Sequence, residues 1–304
     1  MSHKPQPQES SIGPIRLLPG PNRGKYPHCH SVYIEGAKIL IDPASDRERL
    51  MRLKTEEGVD EVWLSHWHED HFAHLDLFPE AKIRIHPADA PPLADLDVFM
   101  DWYGMTGPEN QKVREMWREL MLTQFNFKPR TEFDFFIPDE EIRLSGLTVK
   151  ALHVPGHTPG HMAFHFLEPE VLFLADYDLT PFGPWYADPG GSIGETSKSV
   201  RRLQKIPVSA WITAHEGGII HEAPPELWDS YLDVPVKREE KILELLGEPR
   251  TIEDIARQWL VYRKPREPFE FYFWAERATA KKHLEGLVER GMSVCSEGLY
   301  RRLA

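Results

Sequence analysis

The chain has 304 residues, enough for one large core or for a large and a small domain. Its 36 basic and 48 acidic side chains give a net charge of −12, which argues against sequence-blind binding to phosphate backbones. Only Cys29 and Cys295 occur, far apart and outside every motif below, so both read as ordinary thiols; with no signal-like start and no run of about 18 apolar residues, the expectation is a cytoplasmic protein that does not enter a membrane.

Residues 1–13 are polar and Pro-containing and read as a disordered leader. From Ser31 to Asp42 two strands meet at a turn at Gly36, and Asp46 to Glu57 has helical spacing. Val59 to Leu64 is a strand, His71 to Phe78 a short helix, and Ala81 to His86 another strand. Residues 91–130 interrupt this rhythm with two helices carrying Trp102, Tyr103, Trp117, Phe125 and Phe127, which either form an aromatic lid or pack an extra helical layer, the latter being favoured. Strands return at Glu132–Ile137, Glu141–His153, Met162–Phe166 and Glu170–Ala175; a Gly- and Pro-rich loop, 180–194, leads to a helix at Glu195–Lys205 and a strand running from Ala210 to His215. Alternating strands and helices favour an α/β layered architecture.

Beyond Pro235 the pattern turns helical, with helices at Lys237–Leu246, Thr251–Leu260 and Phe273–Arg290, then a hairpin about Gly298. From Lys237 onward there are 14 basic and 12 acidic residues, against 22 and 36 in the remainder, so the two parts differ in charge. Two domains are therefore expected, at 14–234 and 235–304.

The segment from His66 to His71 places His66, His68, Asp70 and His71 within six positions directly after a strand. Alternate side chains of an extended segment share a face, so His66 and His68 point together. Imidazoles with one carboxylate suit zinc, iron or manganese. Trp67 and Glu69 are expected to be spacers facing away. Three further candidates, His157, Asp176 and His215, also fall at or just past strand ends, where loops of a layered α/β fold converge on one crevice. Seven donors exceed the needs of one tetrahedral ion and suggest two. His161 is expected to support the site from behind, His153 and His165 to be core histidines, and His74, His86 and His221 to be weak candidates for substrate contact.

In order, His-x-His-x-Asp-His, Gly-His-Thr-Pro-Gly-His, the lone Asp176 after an apolar strand and Thr-Ala-His resemble the metallo-beta-lactamase superfamily, over roughly residues 14–222, and in particular its glyoxalase II-like hydrolases. The resemblance implies a four-layer αβ/βα sandwich in which His66, His68 and His157 hold one divalent cation, Asp70, His71 and His215 a second, and Asp176 bridges them. Zinc is the first expectation for both, with iron or manganese as alternatives. Such a pair activates a hydroxide that attacks a carbonyl or phosphorus centre. Asp70 doubles as the candidate proton acceptor. Tyr177 could offer a hydroxyl to a substrate oxyanion, while Phe182, Trp185 and Tyr186 either line the site or stiffen a Pro-rich loop.

The tail resembles a winged helix through its three helices and hairpin. Its third helix carries Arg277, Lys281, Lys282 and Arg290, a nucleic-acid reading offset by Glu276, Glu285 and Glu289 and ranked below an interface or an active-site wall. The expected activity is cleavage of a thioester, lactone or phosphoester in a small molecule. The alternatives are an endoribonuclease or phosphodiesterase using the tail, an iron-dependent enzyme similar to persulfide dioxygenases, and a catalytically quiet sensor. A homodimer is left open.

Overall fold

Short strands, the central ones buried at every position, build two sheets. The computed structural model describes residues 6–303, and its first sheet runs, in spatial order, β1 (Ser10–Ile12), β2 (Ile15–Leu18), β3 (Ser31–Ile34), β4 (Ile39–Ile41), β5 (Glu61–Trp63), β6 (Lys82–Ile85) and β7 (Asp134–Phe135). β1 to β4 are antiparallel neighbours, and β4 to β7 are parallel. The second sheet has the order β13 (Ile219–Ile220), β12 (Ala210–Ile212), β11 (Val171–Phe173), β10 (Met162–Phe166), β9 (Leu147–His153), β8 (Glu141–Leu144), with only the β11–β12 pair parallel.

Alternation decides which side of the second sheet each residue serves. Val149, Ala151, Phe164 and Phe173 join Leu17, Ile41 and Trp63 of the first sheet in one core, where the Trp63 and Phe164 rings lie 5.2 Å apart. Leu152, Ala163, Leu172 and Leu174 face the other way, against Val200, Leu203 and Trp228. The last three belong to helices in the outer layer, numbered below. This is the αβ/βα sandwich expected from the sequence.

The helices in chain order are α1 (Arg47–Glu56), α2 (Glu69–Phe72), α3 (Pro91–Ala94), α4 (Leu96–Trp102), α5 (Gln111–Thr123), α6 (Ile193–Gln204), α7 (Pro225–Leu245), α8 (Ile252–Ala256) and α9 (Phe269–Glu289). α1 and α6 start where the sequence offers an oxygen cap: the side chains of Asp46 and Ser192 accept from Arg49 N and Glu195 N. No helix among the described residues is long and apolar enough to cross a membrane.

Three expectations need correction. Within the supposed leader, residues 1–5 lie outside the described part, but Ser10–Ile12 pair with Ile15–Leu17 as an edge strand, a register that so short a polar run does not announce. The expected boundary at 234/235 falls inside α7, which continues through Pro235. Pro235 reads as a break, yet one end of this helix buries Trp228, Tyr231 and Leu232 against the second sheet and the other buries Ile242 and Leu246 among the C-terminal helices. Burial at both ends outweighs the lost backbone hydrogen bond. The strand expected at Glu132–Ile137 shrinks to Asp134–Phe135, because Phe135 and Ile137 are exposed at the sheet edge.

His30 gives the fold a pH dependence. It is fully buried, its Nδ1 accepts from Gly20 N at 2.9 Å, and burial, with His215 and Arg23 nearby, holds its pKa at about 3. The unfolded chain takes up a proton near pH 6.5 while the folded chain does not, so stability falls as pH drops below 6.5. Between pH 7.5 and 5 this residue should cost about 2 kcal/mol of unfolding free energy. Urea midpoints of wild type and His30→Asn at the two pH values measure it, and the variant should lose that part of the slope.

Candidate metal centre

Each candidate donor sits just beyond the carboxyl end of a strand: His66 to His71 after β5, His157 after β9, Asp176 after β11 and His215 after β12. Short loops at these ends bring seven side chains, distant in sequence, into two groups. One comprises His66, His68, His157 and Asp176, the other Asp70, His71 and His215, with the donor atoms of each group within 4.8 Å of one another.

In the first group His66 Nε2, His68 Nδ1 and His157 Nε2 are separated by 3.1, 3.1 and 2.9 Å. Asp176 Oδ2 lies 3.2 Å from His157 Nε2 and 3.9 Å from His66 Nε2. Asp176 Oδ1 turns to the second group, 2.7 Å from His71 Nε2 and 3.3 Å from His215 Nε2. Asp70 closes that group, with Oδ2 3.7 Å from His215 Nε2 and Oδ1 4.0 Å from His71 Nε2. One carboxylate therefore faces both groups.

The outer nitrogen of every ring has its own partner. His66 Nδ1 donates to Ser65 Oγ (2.9 Å), whose proton goes to Asp42 Oδ2 (2.7 Å); His71 Nδ1 donates to Asp42 Oδ2 (2.9 Å). His68 Nε2 donates to Asp188 Oδ2 (2.8 Å), His157 Nδ1 to the Trp185 carbonyl (3.0 Å) and His215 Nδ1 to the Gly24 carbonyl. With protons on those outer nitrogens, the inner nitrogens of all five rings can present lone pairs to a cation once the rings are neutral. Three lone pairs about 3 Å apart have no hydrogen between them, and a bound cation satisfies all three at once. Tetrahedral zinc with Zn–N bonds near 2.05 Å would set its nitrogens about 3.3 Å apart, close to the spacing found. His71 Nε2 and Asp176 Oδ1 are buried without a well-formed hydrogen bond, the same signature in the second group.

Burial holds His66 well below the ordinary imidazole range and lowers His68 too. Burial opposes charge at His71, His157 and His215 as well, but Asp176, together with Asp42 at His71, Asp188 at His157 and Asp70 at His215, outweighs it and raises all three, His215 to about 9, so that a bound cation would take the place of protons these rings otherwise favour. Asp176 draws positive charge into a water-poor pocket, which suits divalent cations.

His161 supports the centre from behind, as its spacing suggests: Nδ1 donates to the Val154 carbonyl and Nε2 accepts from Asp176 N, both at 3.3 Å. His153 donates to the Pro159 carbonyl and stacks on His86. Two other expectations change. Tyr177 is fully buried, and its hydroxyl lies 3.0 and 3.1 Å from the Val154 and Pro155 carbonyls and 3.3 Å from His157 N. It holds the loop that carries His157 and has no path to a substrate oxyanion. Trp67 and Glu69 are more than spacers, and the Trp67 ring lies edge-on to that of His68 at 4.6 Å. Trp67 packs on Phe99, Trp102 and Tyr103, and the buried Glu69 carboxyl accepts from Tyr26 Oη (2.9 Å) and Tyr103 Oη (2.5 Å). Burial, then Asp70 beside it, pushes Glu69 up to about 8.

The aromatic residues of 91–130 serve as packing: Trp117, Phe125 and Phe127 are buried, and Tyr103 lies flat against the His68 ring at 5.4 Å. The sequence reading missed Asp42, Ser65 and Asp188. Asp42 closes the apolar run Ile39–Ile41 just as Asp176 closes its own, a signal that was available. Asp188 lies in a Pro- and Gly-rich loop, and nothing local marks it.

Gly156 shows how tightly the His157 loop is held. Its φ is +132°, and an added Cβ would lie 2.2 Å from Thr196 N in the first turn of α6. Gly156→Ala should destabilise the fold by about 2 to 4 kcal/mol and move His157 out of register. Thermal unfolding together with bound-metal analysis of the purified variant checks both effects.

A two-sheet sandwich with histidine and aspartate side chains gathered at strand ends defines the class as a candidate metal-binding scaffold. The model of the metallo-beta-lactamase superfamily matches residues 25–215, so the chain belongs to that superfamily. Among characterised relatives, an atrochrysone carboxyl ACP thioesterase of Aspergillus fumigatus is 26% identical over 78% of this chain and 53% of its own length, so the chain spans about half of that relative. A beta-lactamase-like protein 2 homolog of Caenorhabditis elegans is 20% identical over 98% of this chain and 90% of that one. The hydroxyacylglutathione hydrolase GloC of Haemophilus influenzae is 28% identical over 45% and 59%. In fold, a metallo-beta-lactamase family protein of Thermus thermophilus superposes with a TM-score of 0.69 at 21% identity, covering 96% of this chain and 99% of that one.

Proposed function

We propose that the chain hydrolyses a thioester in a small molecule at a centre of two divalent cations, zinc first and iron or manganese next. The observation that carries this reading is the Asp176 carboxylate, with one oxygen toward His66 and His157 and the other toward His71 and His215. His66, His68 and His157 would hold one cation, Asp70, His71 and His215 the other, and Asp176 both. The cations would supply an activated water for attack and charge stabilisation for the oxyanion that forms on the substrate. The chain's own residues do the remaining work. Asp42, Ser65, Asp188 and the Trp185 and Gly24 carbonyls fix which ring nitrogens face inward. Asp70, in the second group, could accept the proton released when water is deprotonated. A thioesterase and a hydroxyacylglutathione hydrolase among the relatives favour thioesters over lactones and phosphoesters.

The nucleic-acid reading has less support because the basic residues of α9 are already engaged. Arg277 meets Glu253 and Asn110, Lys281 meets Glu285, Lys282 the Pro189 and Gly191 carbonyls, and Arg290 meets Glu239. The complete second group of donors also goes beyond what a single-iron oxygenase uses. A panel of thioesters, lactones and phosphodiesters assayed at low and high salt tests the proposal. Thioester turnover that changes little with salt is expected. Turnover confined to phosphodiesters and falling steeply with salt would transfer the function to nucleic acid.

A further inference from the structure

The two donor groups are oriented from different parts of the chain. The outer nitrogens of His71 and His215 are held by Asp42, at the end of β4, and by the Gly24 carbonyl, both within the first sheet and its loops. In the first group only His66 is held from there, through Ser65. His68 and His157 are held by Asp188 and the Trp185 carbonyl, which lie three residues apart on the loop 180–191, and Trp185 Nε1 donates to Asp188 Oδ1 at 3.1 Å. That loop contains no helix or strand. Left to its own Gly- and Pro-rich sequence it would sample many conformations.

Beyond a few bonds of its own, the loop is held from the C-terminal helices. Lys282 Nζ, on α9, donates to the Pro189 carbonyl at 3.2 Å and the Gly191 carbonyl at 2.9 Å. Arg238, buried on the second half of α7, donates to the Phe182 carbonyl at 2.8 Å and to Tyr186 Oη at 3.3 Å. Tyr186 Oη also lies 2.8 Å from Nε2 of His283, a fully buried residue of α9. The Trp274 ring lies 6.3 Å from that of Trp185. The loop is thus clamped on both sides of Trp185 and Asp188, by residues that approach neither donor group.

We propose that the C-terminal helices are a positioning element for the first cation alone, acting through Lys282, Arg238 and His283 on the loop that orients His68 and His157. The inference rests on the two-cation reading above. Loss of groups that orient a ligand imidazole typically weakens metal binding 10- to 100-fold. Loosening the clamp should therefore lower the affinity for one cation by about that factor and leave the other unchanged.

The test is a competition titration of full-length, zinc-loaded protein with a chromophoric chelator, comparing wild type with Lys282→Met, Lys282→Arg and Tyr186→Phe. Two zinc ions per chain in the wild type establish the underlying reading; fewer would defeat that reading before any variant is compared. Lys282→Met should then release one zinc at 10- to 100-fold lower chelator concentration while the second leaves as in wild type, and Lys282→Arg, which can still reach both carbonyls, should restore most of the affinity. Tyr186→Phe removes a single oxygen from the clamp and should show the same one-site loss in milder form, so the outcome does not depend on Lys282→Met folding. Equal weakening of both zinc ions, or no weakening of either, overturns the proposal.

Discussion

Asp176→Ala should remove hydrolytic activity and lower the bound metal from two ions per chain to one or fewer, while the far-ultraviolet circular dichroism stays that of the wild type. Among the described residues Asp176 is the one carboxylate within 4 Å of histidines in both groups, so its loss should dismantle both. The stabilisation that cations give a developing negative charge amounts to several kcal/mol, so kcat/KM should fall on the order of 10³-fold or more. Retention of activity within tenfold of wild type would mean that the chemistry does not run through this carboxylate.

Asp42→Ala should have the largest effect on stability. Asp42 is fully buried and accepts from Ser65 N at 2.8 Å, Ser65 Oγ at 2.7 Å and His71 Nδ1 at 2.9 Å. Its backbone lies in the left-handed region at φ +52°, held there by β4 and the turn after it. Truncation leaves three buried donors without an acceptor, so the unfolding free energy should fall by about 3 to 5 kcal/mol. Because Ser65 passes the same carboxylate on to His66, both cations should also bind less tightly. Urea unfolding of metal-free protein isolates the structural part, and a change below about 1 kcal/mol would show that Ser65 and His71 find other partners.

These two residues mark how far the sequence could be read. Asp176 stands out because it closes an apolar strand in a chain already carrying histidines at other strand ends. Asp42 occupies the same kind of position but has no histidine beside it, and its partners His71 and Ser65 are more than 20 residues away. Asp188 is harder still. Its contact with His68 depends on a loop without secondary structure, and that loop is bonded by Arg238 and Lys282, 56 and 93 residues beyond the carbonyls they meet. Local patterns name the donors because metal chemistry restricts residue type, whereas the groups that aim the donors can be any hydrogen-bonding atom, including the backbone carbonyls of Gly24 and Trp185.

The same limit explains the helix through Pro235. Proline is a local signal for a break, and the burial that overrides it comes from two apolar clusters, one on the second sheet and one among the C-terminal helices, that no local window contains. Glu69 is a related case. Between His68 and Asp70 it reads as a spacer, and only the folded chain brings Tyr26 and Tyr103 onto its carboxyl.

The two-cation centre is the claim on which the rest depends, and elemental analysis of freshly purified, gently handled protein tests it most directly. Two divalent ions per chain are expected, lost together with thioesterase activity on chelation and regained with it on adding zinc, iron or manganese. Fewer than one ion per chain, with activity unaffected by chelator, would contradict the account.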